Sequence, residues 1–587
     1  MPVSLWSALP AVRTLLLGCL LFPISCLDDG DARPGRDPVE ERSITELQAD
    51  LSAGRVSSAA LVDAYLQRIE ELDDSGPLLN AVIAKNPLAR AQAVELDAER
   101  ARGGSRGALH GIPILVKDNI ETADPMPTTA GSLALQNNLT LRDAPIVARL
   151  RAAGAIVLGK ANLSEWANIR SNKSISGWSA IGGLTRNPHA LDRSACGSSA
   201  GSGAAVAASL SAAAIGTDTS GSIICPAAVN GVVGLKPTVG LLSRRHIVPI
   251  SRSQDSPGPM GRSVADVAIM LTAMAGSDPE DPATRLADQH KRDYLAELHL
   301  DALRGKRLGV LAFLLDNDVD VTAAFKAARR VLEDAGAELV DINEAPALGA
   351  IERFQDTVIL TELKADLEGY LEALPSDVPH RTLAELIAFN QQNAGAELSL
   401  FGQELFLAAN GTAGLDNPRY RTVVVEAKRA AGPDGIDALL AAHRVDALVG
   451  PTSGPAWVTA TNHGAGSFNS YTLLAAVAGY PQLTVPMGDV GGLPVGLSFI
   501  GTAWSEPRLL GFAHAYEQRA HARRAPTYVA VMGKSRHRWQ RLQRRAMSPM
   551  GGVAALGTGL ITLAFGGVFL RRRRARALSA GRSTGTG

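Results

Sequence analysis

The chain has 587 residues, a formal net charge of zero, 46% hydrophobic and 20% charged residues. That balance belongs to a large folded core and excludes a disordered chain; at this length no disulfide staple is needed to hold it. Neutral charge and 4% aromatic residues, with no aromatic-rich basic stripe, speak against nucleic-acid binding.

At the start, Arg13, an uncharged apolar run from Thr14 to Ser25, then Cys26 and an acidic Gly/Pro-containing stretch predict a signal peptide over 1–26 and a linker over 27–42. Cys26 is a candidate lipidation site, although Pro23 is an awkward neighbour for such a cut. The plain alternative is an apolar extension of a cytosolic enzyme.

From Ser43 the texture becomes regular. "SITE" (Ser43 to Glu46) is a capping-box pattern that opens a helix ahead of Leu47 and Leu51. Leu61, Val62, Tyr65, Leu66 and Ile69 recur at helical spacing. Asn86-Pro87 predicts an N-cap and first turn, and Gly103-Gly104 a stop. "IPILVK" (Ile112 to Lys117) predicts a short buried strand. A helix from about Pro145 to Gly154 precedes a second strand, "AIVLG" (Ala155 to Gly159). Further strands are predicted at Arg307 to Ala312, Glu338 to Val340 and Val445 to Gly450, with a helix through Arg330 between the first two. Strands alternating with helices of this length predict an α/β fold with a parallel or mixed sheet. The helix-rich stretch from about Asp341 to Gly432 lacks the alternation and predicts a cap or lobe.

At the other end a basic linker (531–550) leads into Gly551 to Leu570, twenty residues without a charge, about a bilayer's thickness. Arg571 to Arg574 and Arg576 follow at once. This predicts a transmembrane or cleavable sorting-tail helix over 551–570 and a basic cytoplasmic tail over 571–587, a Gly/Arg tail without structure being the plain alternative. With the leader, it predicts an exported, membrane-associated protein of a bacterial periplasm or cell envelope.

No internal repeat and no Gly-rich phosphate loop is present, so nucleotide cofactors have no support. Cys196 and Cys225 lack the spacing and His partners of a zinc site. They read as buried small residues rather than a disulfide. No metal or other cofactor is expected.

Two Ser-rich segments lie close together, "ACGSSAGSGAAVAA" (Ala195 to Ala208) and "TDTSGSI" (Thr217 to Ile223). The first contains G-x-S-x-G, which makes Ser199 a rival nucleophile of the α/β-hydrolase type. Small-residue stretches generate that match by chance, and "DRSAC" before it is no apolar strand. A serine hydroxyl needs an adjacent base near neutral pH, and a desolvated, neutral lysine can be that base. "ILVKDNI" puts Lys117 at the end of an apolar strand, where a surface lysine closing the strand is the plain reading.

The ordered set "GIPILVKDNI", "CGSSAGSGAAVAA", "GTDTSGSIICPAAVNGVVGLKPTVG" and the late "AVAGYPQLTVPMG" resembles the amidase signature family of Ser-Ser-Lys amide hydrolases, over about Ser43 to Arg523. The resemblance implies an amidase domain over 43–530, with a mixed sheet covered by helices on both faces and a helical lobe. It implies Lys117 as base, Ser198, with an unusual cis peptide bond, as bridge, and Ser222 as nucleophile. Backbone N–H groups of Thr219, Ser220, Gly221 and Ser222 would line the oxyanion hole, with Asp218 supporting the loop. Small residues there let the substrate carbonyl reach the main chain.

Two departures from the commonest family form stand out: Ser220 replaces a Gly and Ile224 an Arg. "NLSEWANIRSNKSISGWSAIGGLTRNP" (Asn162 to Pro188) and "GTAWSEP" (Gly501 to Pro507) are similar to bacterial peptide amidases, which turn C-terminal peptide amides into acid and ammonia. A peptide or small-molecule amide is thus the expected substrate. Other readings are a general aliphatic or aryl amidase, a Ser199 esterase, a non-catalytic surface-binding protein, and a component of a tRNA amidotransferase, which the export signal and tail argue against. Oligomeric state is unreadable.

Overall fold

The computed structural model describes residues 37–344, 348–459 and 471–532. The compact unit that begins at Pro38 holds a main sheet of eleven strands: β1 (Val82–Lys85), β2 (Pro113–Lys117), β3 (Ile156–Ala161), β4 (Ala213–Asp218), β5 (Val233–Lys236), β6 (Ser256–Gly261), β7 (Arg307–Leu311), β8 (Glu338–Ile342), β9 (Ala447–Pro451), β10 (Gln482–Val490) and β11 (Leu493–Ile500). Their order across the sheet is β1-β3-β2-β4-β6-β5-β10-β11-β9-β7-β8. β3, β2 and β4 run parallel, as do β9, β7 and β8. Antiparallel strands join the two groups. The sheet is therefore mixed, and strands such as β2 and β4 are buried along their whole length, as strands covered on both faces are.

Local signals account for the first helices. Ser43 caps α1 (Ile44–Ser52) reciprocally with Glu46, and α2 (Ser58–Leu72) buries Leu61, Val62, Tyr65 and Ile69. α3 (Ala89–Ala101) begins two residues after Asn86-Pro87; Asn86 Oδ1 instead accepts the Leu88 N–H at 2.9 Å, a turn ahead of the helix. α4 (Pro145–Ala152) has Pro at its first position and ends before Gly154, at φ +89°.

α5 (Ala200–Ala207) is entirely buried. A Cβ at Gly201 would sit 2.3 Å from the Ala81 carbonyl oxygen, so its small residues are what let it lie directly on the chain beside the sheet. α6 (Ile224–Val229) follows β4 after a short loop. The helix-rich stretch supplies α7 (Leu348–Glu372), α8 (Leu383–Gln392) and α9 (Pro418–Ala431). Leu363, Leu367 and Leu371 of α7 pack with Leu383, Leu386 and Phe406 in a cluster of their own, which also takes in Ala130 and Trp166. That cluster is the expected lobe.

The expected leader (1–26), apolar span (551–570) and Arg-rich tail (571–587) lie outside the described residues. Among the described residues no helix is long and apolar enough to cross a membrane. The longest, α7, has 25 residues, yet carries Arg353, Asp356, Glu362, Lys364, Asp366 and Glu368, a charge load that a bilayer core does not admit. The expectations of a signal peptide, of membrane attachment through a C-terminal helix, and of an exported, membrane-associated protein with a cytoplasmic C-terminus are corrected accordingly: no described element supports them.

Candidate active site

Parallel neighbours in open α/β sheets form crevices beyond their carboxyl ends. Lys117 closes β2 and Asp218 closes β4, and the two strands pair directly. Lys117 is fully buried. Its Nζ lies 2.7 Å from Ser198 Oγ, 2.7 Å from Thr217 Oγ1 and 3.1 Å from Ser199 Oγ, within hydrogen-bond reach of all three hydroxyls. Burial pushes the amine down to about 7, against the upward pull of Asp218 and Asp255. At neutral pH much of it is uncharged.

The peptide bond Gly197–Ser198 is cis, and the Ser198 carbonyl accepts the Ser164 N–H at 3.0 Å. Ser199 is buried, its hydroxyl donating to the Thr217 carbonyl at 3.1 Å and accepting the Thr217 N–H at 3.2 Å. That ties it to β4 instead of exposing it on a nucleophile elbow. The Ser199 N–H in turn donates to the Ser222 carbonyl at 3.1 Å, which stitches the two Ser-rich segments together. A Cβ at Gly216 would lie 2.7 Å from Ser199 Oγ, so this approach needs glycine.

Thr219 to Ser222 form the turn between β4 and α6. Asp218 holds it from within: its carboxylate accepts the Gly221 and Ile223 N–H groups at 2.7 Å each and the Ile224 N–H at 3.4 Å. The positive φ of the turn, +100°, falls on Gly221 and not on Ser220, so a Cβ at position 220 costs the loop no left-handed strain. Ile224, in place of Arg, is buried in α6. Ser222 is half-buried. Thr219 Oγ1 donates to Asp255 Oδ1 at 2.6 Å, and Gln355 Nε2 donates to Ser220 Oγ at 2.7 Å. A cavity of about 420 Å³ adjoins the cluster, with Asn119, Thr217, Thr219, Asp255 and Ala167 in its wall.

Lys117, Ser198, Asp218 and the Thr219–Ser222 turn are thus brought to one place. Sequence reasoning missed Thr217, Asn119, Asp255 and Gln355. Asn119 Nδ2 donates to Thr217 Oγ1 at 3.1 Å; it sits in the turn after β2, closed by the Ile120 N–H on the Lys117 carbonyl at 3.0 Å, which the strand pattern did not mark. Asp255 and Gln355 come from distant segments and carry no local signal. Cys196 and Cys225 are bonded, S–S 2.00 Å and Cα–Cα 6.1 Å. This corrects their reading as unpaired buried residues. The same folding that joins the two serine segments brings their cysteines within disulfide reach.

The mixed α/β fold with this cluster at the carboxyl ends of β2 and β4 is that of an enzyme, and its relatives make it a hydrolase of carbon–nitrogen bonds. The chain belongs to the amidase family, whose model, Amidase, matches residues 60–510. A probable amidase of Arabidopsis thaliana is 39% identical over 501 residues, 84% of this chain and 92% of its own. A glutamyl-tRNA(Gln) amidotransferase component of Halorhodospira halophila is 37% identical, covering 82% of this chain and 97% of its own. Among solved structures, the native peptide amidase of Stenotrophomonas maltophilia is 55% identical with a TM-score of 0.80, covering 84% of this chain and 100% of its own.

Proposed function

We propose that residues 43–530 form a serine amidohydrolase that hydrolyses the C-terminal carboxamide of peptides to acid and ammonia, with Ser222 as nucleophile, Ser198 as bridge and Lys117 as base. The observation that carries the chemistry is the 2.7 Å contact between a fully buried lysine amine and Ser198 Oγ. A neutral amine has two N–H donors and one lone pair. The Ser199 hydroxyl already directs its proton at the Thr217 carbonyl, and Thr217 Oγ1 already accepts from Asn119. The Ser199 oxygen is thus an acceptor for one amine N–H, and with the second N–H on Thr217 Oγ1 at 2.7 Å the lone pair is left for the proton of Ser198.

In this reading Ser198 passes its proton to Lys117 and takes one from Ser222 as Ser222 Oγ attacks the carboxamide carbon. Main-chain N–H groups of Thr219, Ser220 and Ser222 stabilise the oxyanion, a contribution worth ~3–4 kcal/mol per donor where it has been measured; the Gly221 N–H expected among them is instead held by the Asp218 carboxylate at 2.7 Å. Collapse breaks the C–N bond, and the proton stored on Lys117 returns through Ser198 to the departing NH2, which leaves as ammonia. Water then hydrolyses the Ser222 ester by the reverse route, giving the acid.

Similarity to a peptide amidase at 55% identity favours peptide amides over the glutamyl-tRNA(Gln) for which the amidotransferase relative is named, at 37%. The test is ammonia release from C-terminally amidated peptides, free amino-acid amides, aryl amides and fatty amides, by wild type, Ser222→Ala and Lys117→Ala. Turnover of amidated peptides by wild type alone is expected. Wild-type rates in either variant would end the mechanism, and a preference for aryl or fatty amides would end the substrate assignment.

A further inference from the structure

The Thr219–Ser222 turn is held on one side by Asp218 and on the other by a single face of α7. Gln355, Glu362 and Asp366 stand seven and four residues apart, a spacing that puts them along one side of a helix. Gln355 reaches the turn directly through the 2.7 Å bond to Ser220 Oγ. Glu362 accepts from the Ser251 hydroxyl and, at 2.8 Å, from that of Ser253. Asp366 accepts the Arg252 N–H at 2.8 Å. These anchor the segment 250–255, and Asp255 there takes the Ile250 and Ser251 N–H groups at 2.8 and 2.9 Å and the Thr219 hydroxyl at 2.6 Å. Two adjacent residues of the turn, Thr219 and Ser220, are thus fixed to one helix, one through a relay and one directly. Apolar packing of Leu363, Leu367 and Leu371 holds that helix in its own cluster.

We propose that Gln355 is a positioning residue for the reaction: its bond to Ser220 fixes the direction of the N–H groups that receive the oxyanion. The Ser that stands where the commonest family form has Gly supplies the acceptor that makes this attachment available. The inference rests on the proposed role of the Thr219–Ser222 turn. Its physical basis is that oxyanion donors act by being aimed in advance, so a loosened turn loses transition-state stabilisation while substrate binding is kept.

Gln355→Met keeps the shape of the side chain and its compatibility with a helix but removes the donor. It is expected to lower kcat on an amidated peptide about tenfold with KM within about twofold. Ser220→Ala should do the same, and the double variant should be no worse than either single one, because both remove one interaction. A peptide aldehyde, to whose carbonyl Ser222 Oγ adds, should lose affinity by the same factor as kcat. An unchanged kcat, a loss confined to KM, additive effects in the double variant, or unaltered aldehyde affinity would each overturn the proposal. Ser222→Ala, run alongside, separates the two readings. Activity retained there defeats the parent mechanism, whereas an inactive Ser222→Ala with a fully active Gln355→Met defeats this inference alone.

Discussion

Replacing Lys117 by Met tests the central physical argument, because the lysine's suppressed charge must appear in stability as well as in rate. Burial moves the amine from 10.5 to about 7, so keeping the ammonium form in the folded protein costs roughly 5 kcal/mol at about 1.4 kcal/mol per pH unit. Between about pH 7 and 10.5 the unfolded chain holds a proton on this lysine that the folded chain has given up, so wild-type stability rises with pH across that window. Below 7 both states are protonated and the contribution is flat. Lys117→Met lacks the group, and comparison with it cancels the other titrating residues. From pH 7.5 to 9 the wild type should therefore gain about 2 kcal/mol on the variant in urea unfolding. Wild-type kcat/KM should rise with pH to a plateau above about 7, and the variant should lose at least ~100-fold. Parallel stability curves, or a kcat/KM flat from pH 5 to 9, would refute the claim that an uncharged Lys117 is the working form.

Three other changes have outcomes that the contacts set. Asp218→Asn turns one oxygen that receives main-chain N–H groups into a donor, and should cost ~2–4 kcal/mol in urea unfolding and lower kcat more than KM. Cys196→Ala with Cys225→Ala opens a loop of 29 residues; chain-entropy arguments give ~3–4 kcal/mol of lost stability, read from the urea midpoint under non-reducing conditions. Arg170 is fully buried, 2.9 Å from Glu165 and 3.4 Å from Glu397, and burial already pushes the Glu165 carboxyl well up. Arg170→Met should cost ~3–5 kcal/mol by leaving those acids uncompensated, and adding Glu165→Gln should recover part of it in a thermal melt.

Elements with local chemistry were legible in the sequence. The Ser43 capping box, the strand ending at Lys117 and the Pro145 helix all rest on signals within a few residues. Strands β4 and β6 were not. β4, "AAIGTD", sets only Ile215 and Thr217 among Ala, Gly and Asp, a weak version of the branched pattern that marks strands. β6, "SPGPMG", contains two prolines, which argue against a place inside a sheet. It nevertheless lies between β4 and β5, and β5 pairs only with Met260 and Gly261, beyond the prolines. At the site, Lys117, Ser198 and Ser222 were found through the resemblance and not through periodicity. Thr217 lay within a quoted motif, but its bond to the lysine needed the pairing of β2 with β4. The cysteine pairing failed for the same reason: a separation of 29 residues says nothing until the fold brings the two loops together.

Desolvation alone does not select the base. Lys117, Lys160 and Lys236 are all fully buried, and burial lowers each, to about 7, about 8 and about 8. Lys160 donates to the Ile120 carbonyl and, at 2.8 Å, to Thr128 Oγ1, with Asp118 pulling its pKa upward. Lys236 donates to the Pro237 carbonyl at 2.9 Å. A carbonyl can only accept, so it holds a lysine's N–H and offers no proton to take. Lys117 differs in its nearest oxygens, the Ser198 and Thr217 hydroxyls at 2.7 Å each, with Ser198 in the segment tied to the Ser222 carbonyl, whereas the Thr128 hydroxyl beside Lys160 directs its proton at the Ile120 carbonyl at 3.4 Å. Three lysines therefore share the same electrostatic preparation, and the chemical nature of the nearest oxygen sets the proposed base apart from the other two. Deleting the hydroxyl, by Ser198→Ala, should accordingly abolish amide turnover while leaving the Lys117 amine as buried as before.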